Sequence, residues 1–186
     1  MSDGKYGGAV VNDGKYGYDC RDNALRITLL RSPRFPHPID PRHMTAPETT
    51  DQEDHLFTYS LVPFAGDWRS ANVTATARGI NVPVQVYSGT PLKAQESIFT
   101  LNRANIHCTA LKISEDGAGV IVRLYEAHGR STDASIAFGH KPLLVSECDL
   151  IERDIKPLPL KGARLGLKFK PFEIKTLRLT LTGKHK

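Results

Sequence analysis

Short segments in which apolar and polar side chains alternate recur along most of this chain, with turn residues between them. In residues 57–61, Phe, Tyr and Leu alternate with Thr and Ser. This two-residue period is typical of a strand that buries one face of an antiparallel sheet. Similar strands are predicted near residues 82–87, 98–101, 106–113, 120–125, 135–138, 143–147, 165–169 and 174–181. Glycine-containing turns separate several of them, so the sequence predicts an all-β fold, an antiparallel β-sandwich.

Three stretches depart from the strand pattern. In residues 68–78, the alanines and Arg78 have helical spacing, but β-branched residues among them disfavour a helix, so helix and loop both stay open. Residues 32–54 hold five prolines, which lack the N–H donor of a sheet ladder, and they predict a long proline-rich loop. Residues 152–162, with Pro157 and Pro159, are expected to connect the last groups of strands.

The composition excludes several classes of protein. With 186 residues and 40% hydrophobic composition, the chain can bury one ordinary core, so we expect a single domain over residues 1–186. The 25 basic and 20 acidic residues are interspersed, which is typical of a solvated surface and gives no nucleic-acid-binding pattern. No run approaches the about 18 apolar residues of a membrane span.

The cysteines and the first residues bear on the compartment. Cys20, Cys108 and Cys148 are odd in number and far apart, which favours reduced thiols over a disulfide framework or a zinc knuckle. The first residues lack the apolar core of a signal peptide. We therefore expect a cytoplasmic protein without membrane or nucleic-acid partners.

The N-terminal segment predicts a β arch. Val10 and Val11 end a strand, Asp13 and Gly14 form a turn, and residues 25–30 alternate as a second strand. This arch would present tyrosines and aspartates on a connection between strands.

Tyr16, Tyr18 and Arg31 are binding candidates near this arch. Aromatic faces stack on sugar rings, and an arginine fork binds hydroxyl or carboxylate groups. Alternatively, both tyrosines cover a sheet edge. Trp68, the single tryptophan, is expected to anchor a core rather than to form a sugar platform.

Four motifs, in the same order, resemble the C-terminal β domain of the family 38 α-mannosidases. They are NDGKYGY with LRITLLRSP (residues 12–18 and 25–33), HLFTYSLVPFAGDW (55–68), ALKISEDGAGVIVRLYE (110–126) and KPFEIKT (170–176). Phe64 stands where the family pattern has a histidine. Because the motifs run through nearly the whole chain, the chain is identified as a member of this family.

The resemblance implies a supersandwich-like β domain that is the C-terminal part of a zinc-dependent, retaining α-mannosidase. The catalytic barrel domain, with its zinc and its nucleophile, is absent from these residues. This chain would support that domain of the same polypeptide. By resemblance, Asp13, Tyr16, Tyr18 and Arg31 would contact the α-mannoside, and the protein would tend to form homo-oligomers.

The residues themselves offer no catalytic or metal site. A retaining glycosidase needs two carboxyl groups about 5 to 5.5 Å apart. The acidic candidates show no spacing that pairs them: Asp13, Asp19, Asp40, Glu126, Glu147 and Glu173. The histidines at positions 37, 43 and 55 lack metal-ligand spacing. We expect no cofactor and no catalysis in this chain, with zinc in the full enzyme. Two alternatives stay open, an independent carbohydrate-binding module and an oligomerisation domain.

Overall fold

The computed structural model describes residues 1–33, 51–86, 88–89 and 97–181. The chain forms two compact units, Met1–Gln85 and Val86–Lys186, here called unit 1 and unit 2. Most of the predicted proline-rich loop, residues 34–50, lies outside the described residues. The prediction of a single domain over residues 1–186 stays a prediction.

Unit 1 contains two small antiparallel strand pairs. Strands β1 (Tyr6–Asn12) and β4 (Tyr59–Ala65) form one pair, and β2 (Tyr18–Arg21) and β3 (Ala24–Ile27) form a hairpin. The hairpin turn consists of Asp22 and Asn23, with φ values of 52° and 57°. Two positive φ angles are typical of a type I′ turn, whose twist matches that of the paired strands.

This pairing differs from the predicted arch. The strand that contains Val10 and Val11 pairs with β4, whereas the predicted second strand is β3, which pairs with β2. β3 ends at Ile27, so Leu29 and Leu30 lie beyond it and are exposed. The two-residue turn brings β2 and β3 together as neighbours in sequence, and closing so short a loop costs little entropy.

The described residues contain one helix, α1 (Val73–Asn81), which overlaps the segment with helical spacing but begins later. With nine residues, none of them buried, it is not long and apolar enough to cross a membrane. The prediction of a strand at residues 82–87 is wrong for residues 82–86, the part that the structure describes. Residues 82–86 form no strand, and Pro83 lacks the donor that a ladder needs.

Unit 2 forms two antiparallel sheets. Its described strands are β5 (Phe99–Leu101), β6 (Ile106–Ile113), β7 (Val120–Glu126), β8 (Thr132–Phe138), β9 (Leu144–Cys148), β10 (Asp154–Pro157), β11 (Arg164–Phe169) and β12 (Ile174–Thr180). The larger sheet has the order β10-β9-β12-β7-β6, and the smaller has the order β11-β8-β5. Strand β10 lies in the stretch predicted as a connection. It is an edge strand that ends at Pro157, and an edge tolerates the missing N–H.

The two sheets of unit 2 pack around one hydrophobic core. Leu124 and Leu177 come from the larger sheet, Ile136 and Leu165 come from the smaller, and all are at most 1% exposed. The predicted all-β fold and antiparallel β-sandwich are confirmed. In the described part of unit 1, by contrast, Val11 is the single buried hydrophobic residue.

Candidate functional site

The predicted binding residue Asp13 lies in the turn after β1. Its Oδ1 accepts a hydrogen bond from the backbone N–H of Thr58 at 3.2 Å. The neighbouring Asn12 Oδ1 accepts from the N–H groups of Gly14 and Lys15, at 3.1 and 2.6 Å. Asx turns of this kind fix a connection without a regular ladder. Asp13 therefore lies in a turn that is held by hydrogen bonds, and it is exposed.

Tyr16 lies in the segment that leads into β2, and Tyr18 is the first residue of β2. They are 91% and 77% exposed, so neither ring covers a sheet edge of unit 1. Between them, the Gly17 carbonyl accepts a hydrogen bond from the N–H of Thr28 at 2.8 Å. The hydrogen bond holds the backbone between the two tyrosines, and their exposed rings can stack on a sugar or on another protein surface.

Arg31 follows β3 and is exposed. Within the described residues, no hydrogen bond or ion pair joins Arg31, Asp13, Tyr16 and Tyr18 to one another. Asp13, Tyr16 and Arg31 therefore lie on connections of unit 1 and Tyr18 begins β2, but the structure does not bring the four residues into a shared contact.

Trp68 is half-buried in the turns that precede α1. The guanidinium carbon of Arg69 lies 4.4 Å from the centroid of its ring, and Arg69 also contacts Asp67 at 3.5 Å. The guanidinium stacks over the ring in a cation–π contact. Trp68 thus belongs to a surface stack rather than to the expected core.

An apolar groove of about 220 Å³ lies between the two strand pairs of unit 1. It is lined by Val10, Leu25, Ile27, Leu29, Tyr59 and Leu61. A surface pocket of about 580 Å³ lies beside β1 and includes Asn23 of the hairpin turn. None of the four predicted binding residues lines either cavity. Tyr59 and Leu61 were not singled out from the sequence, although their alternation predicted the strand.

Glu126, one of the acidic candidates, is fully buried and accepts five hydrogen bonds. Its Oε1 accepts from Asn105 Nδ2 at 2.7 Å and from the His128 N–H at 2.9 Å. Its Oε2 accepts from the N–H groups of Gly129, Arg130 and Phe172 at 2.7, 3.0 and 3.1 Å. Burial raises the pKa of Glu126, but these bonds outweigh it and lower the pKa to about 2. The carboxylate therefore ties chain segments together.

Three of the other acidic candidates form ion pairs with lysine or arginine side chains. The ion pairs are Asp19 with Arg26 at 2.9 Å, Glu147 with Lys156 at 3.1 Å, and Glu173 with Lys175 at 3.0 Å. Lys175 also contacts Glu147 at 3.3 Å. Asp40 lies outside the described residues. These pairs fit a structural use of the carboxylates.

The described residues contain no group of three or more His, Cys, Asp or Glu side chains placed to hold a metal ion. His55 Nε2 lies 3.1 Å from the Asp51 carbonyl, and the histidines at positions 37 and 43 fall outside the described residues. None of the three cysteines, all of which are described, forms a disulfide. Burial raises the pKa of the Cys148 thiol to about 11, so it stays protonated.

Two family models match this chain. Residues 105–177 match the model of the glycosyl hydrolases family 38 C-terminal beta sandwich domain, which lies within unit 2. Residues 1–39 match the model of the glycosyl hydrolases family 38 C-terminal domain. Together the two matches cover more than half of the chain.

Curated relatives match over nearly its full length. Human Alpha-mannosidase 2C1 is 33% identical over 97% of this chain, and Alpha-mannosidase G of Dictyostelium discoideum is 29% identical over 96%. The Putative mannosylglycerate hydrolase of Halalkalibacterium halodurans is 27% identical over 96%. The chain spans 17%, 16% and 20% of the lengths of these proteins, respectively.

Proposed function

The chain belongs to the C-terminal domains of glycosyl hydrolase family 38, and from this membership we propose that it is the C-terminal β domain of an α-mannosidase. The full enzyme would hydrolyse α-mannosides with retention of configuration in a zinc-dependent catalytic domain of the same polypeptide. This chain would support that domain. The α-mannosidases among its relatives, of which it spans about a sixth, favour this proposal.

The observation that carries the proposal is the open surface of unit 1. Its described part buries one hydrophobic residue, Val11, while Tyr6, Tyr18, Tyr59 and Leu61 are exposed. A pair of strands is marginally stable in water unless a further layer covers it. We expect the catalytic part of the enzyme to supply that layer.

Asp13, Tyr16, Tyr18 and Arg31 are the proposed contribution to the sugar site. The exposed tyrosine rings can stack on a mannose ring, and Asp13 and Arg31 can bind its hydroxyl groups. The tied backbone around Gly17 would hold the two rings at a fixed spacing.

Zinc would be held by the catalytic domain, since the described residues of this chain contain no group of side chains that fits it. Three cysteines without a disulfide favour a reducing compartment, and we propose a cytoplasmic location.

Hydrogen exchange in the purified chain tests the supporting role. Amides of β7 and β12 lie in the core of unit 2 and should exchange slowly. Amides of β1 and β4 should exchange far faster, because opening these strands exposes little buried surface. Equal protection of both units would contradict the proposal, because unit 1 would then be complete without another layer.

A second candidate, an independent carbohydrate-binding module, is favoured by the exposure of Tyr16 and Tyr18. Titration with mannose and α-mannobiose, followed by tyrosine and tryptophan fluorescence, tests it. Saturable binding that is lost in Tyr18→Ala would establish this function. No binding at millimolar sugar would leave the supporting role as the better proposal.

An oligomerisation domain is the other alternative, and the exposed apolar residues of unit 1 favour it. Sedimentation of the chain over a range of concentrations distinguishes it. A discrete dimer that Leu61→Asp dissociates would support homo-oligomerisation through β4, and a monomer would exclude it.

A further inference from the structure

Two cations lie opposite each other at the start of β11. Lys161 and Arg164 exchange two backbone hydrogen bonds, at 2.9 and 3.1 Å, across the turn formed by Gly162 and Ala163. Gly162 has a φ of 64°, as the first central position of a type II′ turn requires. Directly opposed residues of an antiparallel ladder have Cβ atoms about 5 Å apart, so like charges there repel.

Neither of these cations is neutralised by a carboxylate within the described residues. Other cations of unit 2 do form ion pairs: Lys112, Arg153, Lys156, Lys175 and Arg178. The opposed pair of Lys161 and Arg164 therefore places two exposed positive charges side by side without a carboxylate partner, and both would attract an anion.

The two cations line a pocket of about 400 Å³ whose other walls are uncharged. Those walls are formed by Ser135, Pro159, Leu165 and Gly166. Gly166 lies opposite Ser135 in the ladder between β11 and β8, and it leaves the floor of the pocket open because it has no side chain. The Ser135 hydroxyl makes no hydrogen bond with a described residue, so it can donate to a ligand. Pockets of this volume are typical of small-molecule sites.

Edge protection explains only part of this charge. β11 is an edge strand of the smaller sheet, and lysines on an edge discourage the addition of further strands. That role suits Lys168, which is exposed and lies opposite Asp133 in the ladder. It does not require Lys161 and Arg164 to converge on a pocket.

We propose that Lys161, Arg164 and the Ser135 hydroxyl bind the phosphate group of a small molecule, either free phosphate or a sugar phosphate. The guanidinium fork of Arg164 matches two phosphate oxygens, and Lys161 adds a second positive charge. Pro159 offers an apolar wall to the remainder of a sugar phosphate. This site lies in unit 2 and is independent of the sugar site proposed on unit 1.

Amide NMR shifts of the full chain, recorded during titrations at constant ionic strength, test the proposal. Inorganic phosphate and glucose 6-phosphate should each shift the amides of Ser135 and residues 161–166 in a saturable way. Tighter binding of glucose 6-phosphate would identify a sugar phosphate as the ligand, and tighter binding of phosphate would identify the free anion.

Two charge-matched variants separate a site from a charged edge. Arg164→Gln should weaken phosphate binding at least about tenfold, because it removes the bidentate partner. Lys168→Gln removes the same charge from the same strand outside the pocket and should change affinity less than about twofold. Linear shifts without saturation, or equal losses in both variants, would overturn the proposal. If Arg164→Gln does not fold, Lys161→Gln provides the same comparison.

Discussion

The two units of this chain both consist mainly of antiparallel strands, but they differ in how far the strands bury their apolar side chains. β4 in unit 1 and β7 in unit 2 both have seven residues, but no residue of β4 is buried, whereas four residues of β7 are. In unit 2, Ile136, Phe169 and Leu177 are at most 1% exposed because a second sheet covers the first. In the described part of unit 1, Val11 alone among the hydrophobic residues is buried.

The difference shows that strands can pair through backbone hydrogen bonds without burying their side chains. Backbone ladders satisfy hydrogen bonds in both units, but the burial of apolar area supplies most of the stabilisation of a β domain. Unit 2 contains both faces of its core and should be stable without unit 1. The described part of unit 1 lacks a second sheet over its strands, so its stability depends on another layer that packs against them.

The largest expected effect comes from emptying a core position of unit 2. Phe169→Ala should lower the free energy of unfolding by about 3–5 kcal/mol, through lost burial and a cavity. Urea unfolding followed by circular dichroism measures this loss. A loss below about 1 kcal/mol would mean that the two-sheet core does not stabilise unit 2, and the comparison would fail.

Acid should remove the next largest contribution. The pKa of Glu126 is about 2 in the folded chain, below its usual value of 4.5. A lowered folded pKa gives stability that is complete above the usual value and is lost as the pH falls toward about 2, up to about 3 kcal/mol. Urea midpoints of unit 2 at about pH 6 and about pH 3 should show the decline. The same midpoints in Glu126→Gln should depend less on pH, and an unchanged dependence would contradict this role.

At neutral pH, the same substitution compares a buried carboxylate with an exposed one. Glu126→Gln places an amide group among converging N–H donors and should destabilise unit 2 by about 1–3 kcal/mol. Asp19→Asn breaks the exposed pair with Arg26 in unit 1 and should cost less than about 0.5 kcal/mol. Urea unfolding of both variants measures the contrast, and similar losses would remove the distinction between the units.

The smallest effect is expected for an apolar residue of unit 1. Leu61 is 75% exposed, so Leu61→Ala should stay within about 0.5 kcal/mol of the wild-type chain. Hydrogen exchange of β4 amides provides the local measurement. A loss above about 1 kcal/mol would show that unit 1 possesses packing of its own.

Local pattern predicted much of unit 2, because alternate residues there meet a core. β6 has the predicted bounds, residues 106–113, and β12 begins at the predicted residue. β10 was missed because Pro157 indicated a connection. The β2–β3 hairpin was missed because its turn, Asp22 and Asn23, lacks the glycine that usually marks a type I′ turn.

The candidate site was less predictable, since it depends on tertiary cover. Aromatic chemistry singled out Tyr16 and Tyr18, but alternation does not encode whether another layer covers them. Of the five donors around Glu126, three are backbone N–H groups of the neighbouring residues 128–130, but Asn105 and Phe172 come from distant segments, so local spacing did not indicate the complete set. Likewise, the opposition of Lys161 and Arg164 follows from a turn geometry that charge counts do not show.

The Glu126 carboxylate joins segments that are 21 and 46 residues away, through Asn105 and Phe172. A partly opened sandwich that releases either segment would leave a buried charge short of donors, which costs more than the fraying of an ordinary strand. Half-open forms are therefore disfavoured relative to both the folded and the fully unfolded chain. We expect unit 2 to lose its structure cooperatively, in a single all-or-none step.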